Sequence, residues 1–278
     1  MKNQSINTSK ICFLVLLINT LFFINAYAIN PQRQYTAKPD AIGLKYQTYK
    51  ISVSDSVTLN SWAILQDDLT KPFIIISGPD AGNMANSLGQ AQALHESGYN
   101  VILYDYRGFG ESSDFKMNPN AVYYNEFAED LNKTIAFINN KFKPKSIVLY
   151  GLSMGTLVSR MNMDSDKIIK GLILDSFMID PKLVVDRIGV LKNKVVIIPE
   201  DAADYANSNQ LNLKKPILIF SGLQDKITMT DDYKNFLSKN PAAKMVTWDC
   251  NHIQCFTSMG TDPNLYMVEL KNFVSTLM

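Results

Sequence analysis

The segment Gly151-Leu152-Ser153-Met154-Gly155 constrains this chain more than any other, because it follows directly on the apolar run Ser146-Ile147-Val148-Leu149-Tyr150. A serine between two glycines after such a run reads as a strand-to-helix turn, tight enough to hold its central residue strained with the hydroxyl raised above the sheet edge. Glycine is needed on both flanks, since a β-carbon there would meet the neighbouring strand or helix. Downstream, Thr156-Leu157-Val158-Ser159-Arg160-Met161 continues without Gly or Pro, its apolar residues spaced for one buried face, as a helix after the turn requires. Ser153 is therefore a candidate nucleophile; a plain turn serine is the competing reading.

A serine hydroxyl needs a histidine to take its proton and a carboxylate to orient that histidine. The chain has two histidines. His95 closes Gln90-Ala91-Gln92-Ala93-Leu94-His95-Glu96-Ser97-Gly98, which reads as a helix end where an imidazole meets the dipole favourably. His252 lies in the polar stretch Asp249-Cys250-Asn251-His252-Ile253-Gln254-Cys255, after the strand-like Lys244-Met245-Val246-Thr247-Trp248, and is assigned the base. The acid is expected between Ser153 and His252 in chain order. Asp225 follows the strand Pro216-Ile217-Leu218-Ile219-Phe220 and is the first candidate; Asp175, after Gly171-Leu172-Ile173-Leu174, is the second.

Together with Asp105-Tyr106-Arg107-Gly108-Phe109-Gly110-Glu111-Ser112, which follows the strand Val101-Ile102-Leu103-Tyr104, these motifs resemble the α/β-hydrolase fold serine hydrolases, in their esterase and serine aminopeptidase-like branch. The resemblance runs from about Phe73 to the C-terminus. It implies an α/β fold with a mostly parallel central sheet flanked by helices and a short cap insertion. It also implies hydrolysis of an ester, thioester or amide through an acyl-enzyme, with no metal and no organic cofactor. The oxyanion hole of that fold takes one backbone N–H from the residue after the nucleophile, here Met154, and one from the loop Ser77-Gly78-Pro79-Asp80-Ala81-Gly82-Asn83. Family members usually carry His-Gly there. Proline has no N–H to give, so the second donor is expected to shift to Asp80 or Ala81. Arg107 is expected to tie loops together rather than to touch substrate.

At the N-terminus, Lys2 and Lys10 precede the apolar stretch Ile11-Cys12-Phe13-Leu14-Val15-Leu16-Leu17-Ile18, and Ala26-Tyr27-Ala28 supplies a small-x-small cleavage signature. Residues 1–28 therefore read as a secretory signal peptide cut after Ala28, and residues 29–278 as one hydrolase domain, periplasmic or secreted, with no membrane span left after cleavage. An uncleaved anchor is the weaker reading, because Asn19 and Thr20 interrupt a run already short for a bilayer. The formal charge of +1 suggests no nucleic-acid partner. Cys250 and Cys255 bracket His252, and in an oxidising compartment they either close a small loop or remain two free thiols.

Along the chain, strand and helix signals alternate. An antiparallel pair is expected over 44–53 and 57–65, helices over 86–97, 125–142, 230–238 and 263–277, and a short cap over about 176–214 holding one or two helices and an apolar wall. The expected activity is that of a carboxylesterase-like enzyme acting on a small-molecule substrate with a small or medium acyl group. A serine peptidase acting on short peptides is the enzymatic alternative. A non-catalytic binding protein on the same fold is the third reading, with the substituted oxyanion loop as its support.

Overall fold

The computed structural model describes residues 28–193, 195–200, 214–259 and 264–278. The predicted signal segment up to residue 27, and residues 201–213 of the predicted cap, lie outside the described residues. Ten strands appear among the described residues: β1 (Asn30–Pro31), β2 (Gln47–Ser52), β3 (Thr58–Ile64), β4 (Phe73–Ser77), β5 (Ala81–Gly82), β6 (Asn100–Tyr104), β7 (Ile147–Leu152), β8 (Ile169–Asp175), β9 (Ile217–Gly222) and β10 (Ala243–Trp248). The helices are α1 (Leu88–Glu96), α2 (Tyr124–Phe142), α3 (Met154–Asn162), α4 (Pro181–Lys192), α5 (Lys234–Lys239), α6 (Cys255–Ser258) and α7 (Leu265–Ser275). None of these helices is long and apolar enough to cross a membrane.

Eight strands form one sheet in the order β10-β9-β8-β7-β4-β6-β3-β2. All neighbours run parallel except at β3, which is antiparallel to both β2 and β6. The predicted opening pair is present, with Gln47 against Ala63 and Ser52 against Thr58. Strands β4, β6, β7 and β9 are buried at every position and mostly apolar because helices cover both faces, as a parallel sheet requires. Alternate residues feed two cores. Phe73, Ile75, Ile147 and Leu149 pack with Phe127, Leu131 and Leu157 of α2 and α3, whereas Ile74, Ile76, Val148 and Tyr150 pack with Leu94, Tyr266 and Leu270 of α1 and α7.

The crossovers bring the ends of β4, β7, β8 and β9 to one edge of the sheet, where an open α/β sheet holds its ligands. Above that edge stands the described part of the cap. It consists of α4, started by Pro181 and capped by Asp180, whose carboxylate accepts from the Leu183 N–H, and a strand-like piece in which Ile197 pairs with Ala121. The predicted helix at 230–238 resolves into a turn of 3₁₀ helix over Thr230–Tyr233 followed by α5.

Candidate active site

Two close approaches explain the glycines of the turn. A β-carbon on Gly155 would lie 2.0 Å from the carbonyl oxygen of Ser77, and one on Gly151 would lie 2.4 Å from that of Gly155. With β7 and α3 pressed against β4 in this way, Ser153 is forced to φ 50° and ψ −115°, a conformation that a side-chain-bearing residue rarely adopts. Its Oγ reaches the cavity above the sheet.

His252 meets it there, with Nε2 2.7 Å from Ser153 Oγ, while Nδ1 lies 2.8 Å from Asp225 Oδ2. An ionised carboxylate can only accept, so Nδ1 carries the hydrogen and Nε2 is left to accept from the serine hydroxyl. Asp225 is almost wholly buried, at 3 % exposure, yet well supplied with donors. Its Oδ1 accepts from the N–H groups of Ile227 (2.7 Å) and Thr228 (3.0 Å), and its Oδ2 also accepts from Thr228 Oγ1 (2.6 Å). Burial pushes this carboxyl up, but the hydrogen bond and charge of His252, then Thr228 and Ile227, outweigh it and hold the group below its ordinary range.

Asp175, the second candidate acid, does not meet the imidazole. Its carboxylate accepts from Tyr266 Oη at 2.9 Å and from Ser176 Oγ at 3.3 Å, and Tyr266 Oη in turn lies 2.6 Å from Tyr150 Oη. Burial pushes its carboxyl up to about 6, against the opposing pull of Tyr266, the nearby His252 and Ser176. The backbone carbonyl of Asp175 accepts the Ser153 N–H at 3.0 Å. Ser176 Oγ accepts the N–H of Ile253 at 2.8 Å, joining the turn after β8 to the residue next to His252. Both partners sit at positive φ, 58° for Ser176 and 51° for Ile253.

Cys250 and Cys255 are disulfide-bonded, with Cα atoms 5.3 Å apart, and so close the loop that carries His252. His95 stands elsewhere, at the end of α1, its Nδ1 3.0 Å from Gln66 Nε2. Arg107 is likewise structural: it donates to both Asp130 and Glu129 from a buried position.

The cavity over Ser153 has a volume of about 110 Å³. Its lining is largely apolar and includes Val122, Tyr124, Met178, Ile227 and, from α4, Val184 and Ile188. Met154, at the first position of α3, lines it too, and the opening N–H groups of a helix have no intrahelical acceptor. Of the two loop donors expected from sequence, Asp80 lines this cavity, whereas Ala81 belongs to β5, pairs with Asn30, and borders a separate small space beneath the loop.

Sequence reading missed three elements of this site. Thr228 as a partner of Asp225 was hidden in an ordinary turn. Ser176 follows a strand-end carboxylate, a position that could have drawn attention to it. The third is the stretch 28–32, whose pairing with the loop at residues 80–82 carries no sequence signal because β1 is two residues long.

A family model described as serine aminopeptidase, S33, matches residues 83–198. An esterase from Pyrococcus furiosus superposes with a TM-score of 0.72 at 21 % identity, covering 90 % of this chain and 97 % of that one. A thermophilic esterase from Thermogutta terrifontis superposes with a TM-score of 0.60 at 18 % identity, over 83 % of this chain and 99 % of its own. In sequence the chain is 24 % identical over 257 residues to the alpha/beta hydrolase domain-containing protein WAV2 of Arabidopsis thaliana, spanning 82 % of this chain and 79 % of that protein. The architecture expected from the motifs is thus the architecture found: this chain has the α/β-hydrolase fold.

Proposed function

We propose that this α/β-hydrolase-fold protein is an exported serine hydrolase that cleaves carboxylic esters with small or medium acyl groups, and that Ser153, His252 and Asp225 are its catalytic residues. One observation carries the reading: the unbroken hydrogen-bond chain from Ser153 Oγ through His252 to Asp225. In the reaction, His252 Nε2 takes the hydroxyl proton as Ser153 Oγ attacks the acyl carbonyl, and later gives it to the leaving alcohol. Asp225 keeps the imidazole in the tautomer this requires and stabilises the imidazolium that forms. The developing oxyanion is received by the Met154 N–H and by a second N–H from the loop that holds Asp80 and Ala81. Water then attacks the acyl-enzyme, with His252 again as base.

The apolar walls and limited volume of the cavity support a short acyl chain over a long one. The disulfide supports an oxidising compartment, in keeping with export and cleavage after Ala28. Incubation with a fluorophosphonate tests the nucleophile: labelling of the native chain and none of Ser153→Ala is the expected outcome, and an unlabelled native chain overturns the reading.

A serine peptidase acting on short peptides is the second reading. It is favoured by the aminopeptidase description of the matching family and by the Asp80 carboxylate, an acid able to hold a peptide's terminal ammonium. p-Nitrophenyl esters of increasing chain length, assayed beside aminoacyl anilides, separate the two. Esters are expected to turn over faster, with the shortest chains fastest; preference for anilides reverses the assignment.

A further inference from the structure

Helix α4 gives Val184, Val185 and Ile188 to the cavity of Ser153, while Leu183 and Val190, off that face, are exposed. Its inner face is a wall of the reacting space, so whatever fixes the helix fixes the wall. Arg187, next to Ile188, does so. Its Nη2 donates to Asp232 Oδ1 at 2.8 Å, and its Nη1 donates to Asp232 Oδ2 at 2.5 Å and to the Ile227 carbonyl at 3.0 Å. The two side chains are only 22 % and 10 % exposed, which shields a fork-to-fork pair of this geometry from water.

At the receiving end stands the turn of Asp225. The Ile227 N–H donates to Asp225 Oδ1 at 2.7 Å while Ile227 itself lines the cavity, and Asp232 Oδ2 also accepts the Met229 N–H at 3.0 Å. One guanidinium thus joins two walls of the same space, one borne by α4 and the other by the segment that holds Asp225. We infer that Arg187 is a specificity-determining residue, a positioning group that ties α4 to Ile227 and so limits the acyl chain that fits on Ser153; this rests on the ester-hydrolase reading and deepens it by naming what bounds the substrate. An acyl chain on Ser153 lengthens within about 110 Å³ only by displacing the apolar lining, and close-packed side chains yield little without movement of the backbone that carries them. Movement of α4 breaks the paired charge-assisted bonds and the bond to Ile227 together. Lysine is no substitute, since its ammonium lacks the planar fork that meets both carboxylate oxygens at once.

The test assays Arg187→Gln, Arg187→Lys, Asp232→Asn and the double variant Arg187→Gln with Asp232→Asn on p-nitrophenyl acetate, butyrate, hexanoate and octanoate, which vary the acyl group at constant leaving group. In Arg187→Gln the ratio of kcat/KM for octanoate to that for acetate is expected to rise about tenfold, the discrimination that one methylene commands in an apolar pocket. Arg187→Lys should fall between this variant and the native chain. The double variant should gain nothing over Arg187→Gln, because both changes undo one tie. Melting temperatures and the labelling of Ser153 by a small fluorophosphonate show that each variant is folded with its nucleophile reactive; should Arg187→Gln not fold, Asp232→Asn carries the same test. A ratio that stays within about twofold of native in folded variants, or a loss equal at every chain length, overturns the inference and leaves the pair a structural tie. So does a variant that accepts longer alcohols on acetate esters but no longer acyl groups. Each of these failures leaves Ser153 labelling intact, whereas labelling that survives Ser153→Ala removes the hydrolase reading itself, and the inference with it.

Discussion

The carboxyl ends of β8 and β9 lie side by side, each with a buried aspartate, but only the one beyond β9, Asp225, meets the imidazole of His252. Asp225, beyond β9, receives two backbone N–H groups, a threonine hydroxyl and the imidazole. Asp175, at the end of β8, receives one tyrosine hydroxyl and a long contact from Ser176. Both are desolvated, yet one carboxyl is held below its ordinary range and the other is pushed up to about 6. The difference has two causes acting together: Asp175 is the more completely buried and feels the Asp225 charge, whereas Asp225 has the imidazole, a threonine hydroxyl and backbone N–H groups aimed at it. It also divides the labour. The β9 side is built to hold a permanent anion behind the histidine, and the β8 side to hold the backbone around it, through the Asp175 carbonyl on Ser153 and Ser176 Oγ on Ile253.

The largest break in this comparison is Asp225→Asn. An amide there can present its N–H₂ to Nδ1 and turn the imidazole into the wrong tautomer, so kcat is expected to fall about 10⁴-fold with little change in KM. Stability supplies an independent check. A depressed carboxyl stabilises the fold above its unfolded pKa of about 3.9 and loses that contribution as the pH falls through the lower folded value. The variant should therefore be less stable than the native chain at pH 7, with the deficit closing on acidification below about pH 4. Equal turnover in Asp225→Asn, and a large loss in Asp175→Asn, would exchange the roles of the two strands.

A smaller break comes from Ser176→Ala, which leaves both carboxylates in place and removes the acceptor of the Ile253 N–H together with the long contact to Asp175. An unmet, partly buried donor costs about 1–2 kcal/mol, and here the cost falls on a residue at φ 51° next to His252. The expected outcome is a kcat loss of about tenfold, with KM within about twofold and the pH profile unshifted. Ser176→Thr, which keeps the hydroxyl, should recover most of the rate. If the alanine variant matches the native chain, the β8 side plays no part in holding the histidine loop.

The comparison also marks where the sequence was legible. The turn around Ser153 declared itself because its glycines answer to backbone atoms a few residues away or on the next strand, and no other residue fits. His252 could be found because the chain has so few histidines. The alternation of apolar strands with helices was readable for the same local reason, and the antiparallel pair and α2 fall close to their expected bounds. Asp225 and Asp175 could not be told apart, because each follows an apolar strand. What separates them is a tight turn on one side and, on the other, a tyrosine 91 positions along the chain. The parallel pairing of β1 with β5 was equally hidden: two-residue strands carry no periodicity, and their register is fixed by tertiary contacts alone.

The finest test concerns Asp175 and its slope with pH rather than turnover, which Asp175→Asn is expected to lower by no more than about threefold because the tautomer of His252 is set elsewhere. A carboxyl whose folded pKa is about 6 binds its proton more tightly in the native state than in the unfolded chain. The native state therefore loses stability as pH rises from about 4 to 6, by roughly 3 kcal/mol in all, and stays penalised above that range. Asparagine has no proton to lose. It keeps a carbonyl for Tyr266, so whatever it costs in packing is the same at every pH and cannot imitate a slope. Urea unfolding of both chains at pH 4, 5, 6 and 7 should show the variant gaining on the native protein as the pH rises. A constant difference would mean that Asp175 is ionised throughout, and that the contrast between the two strand ends lies in geometry without a difference in charge.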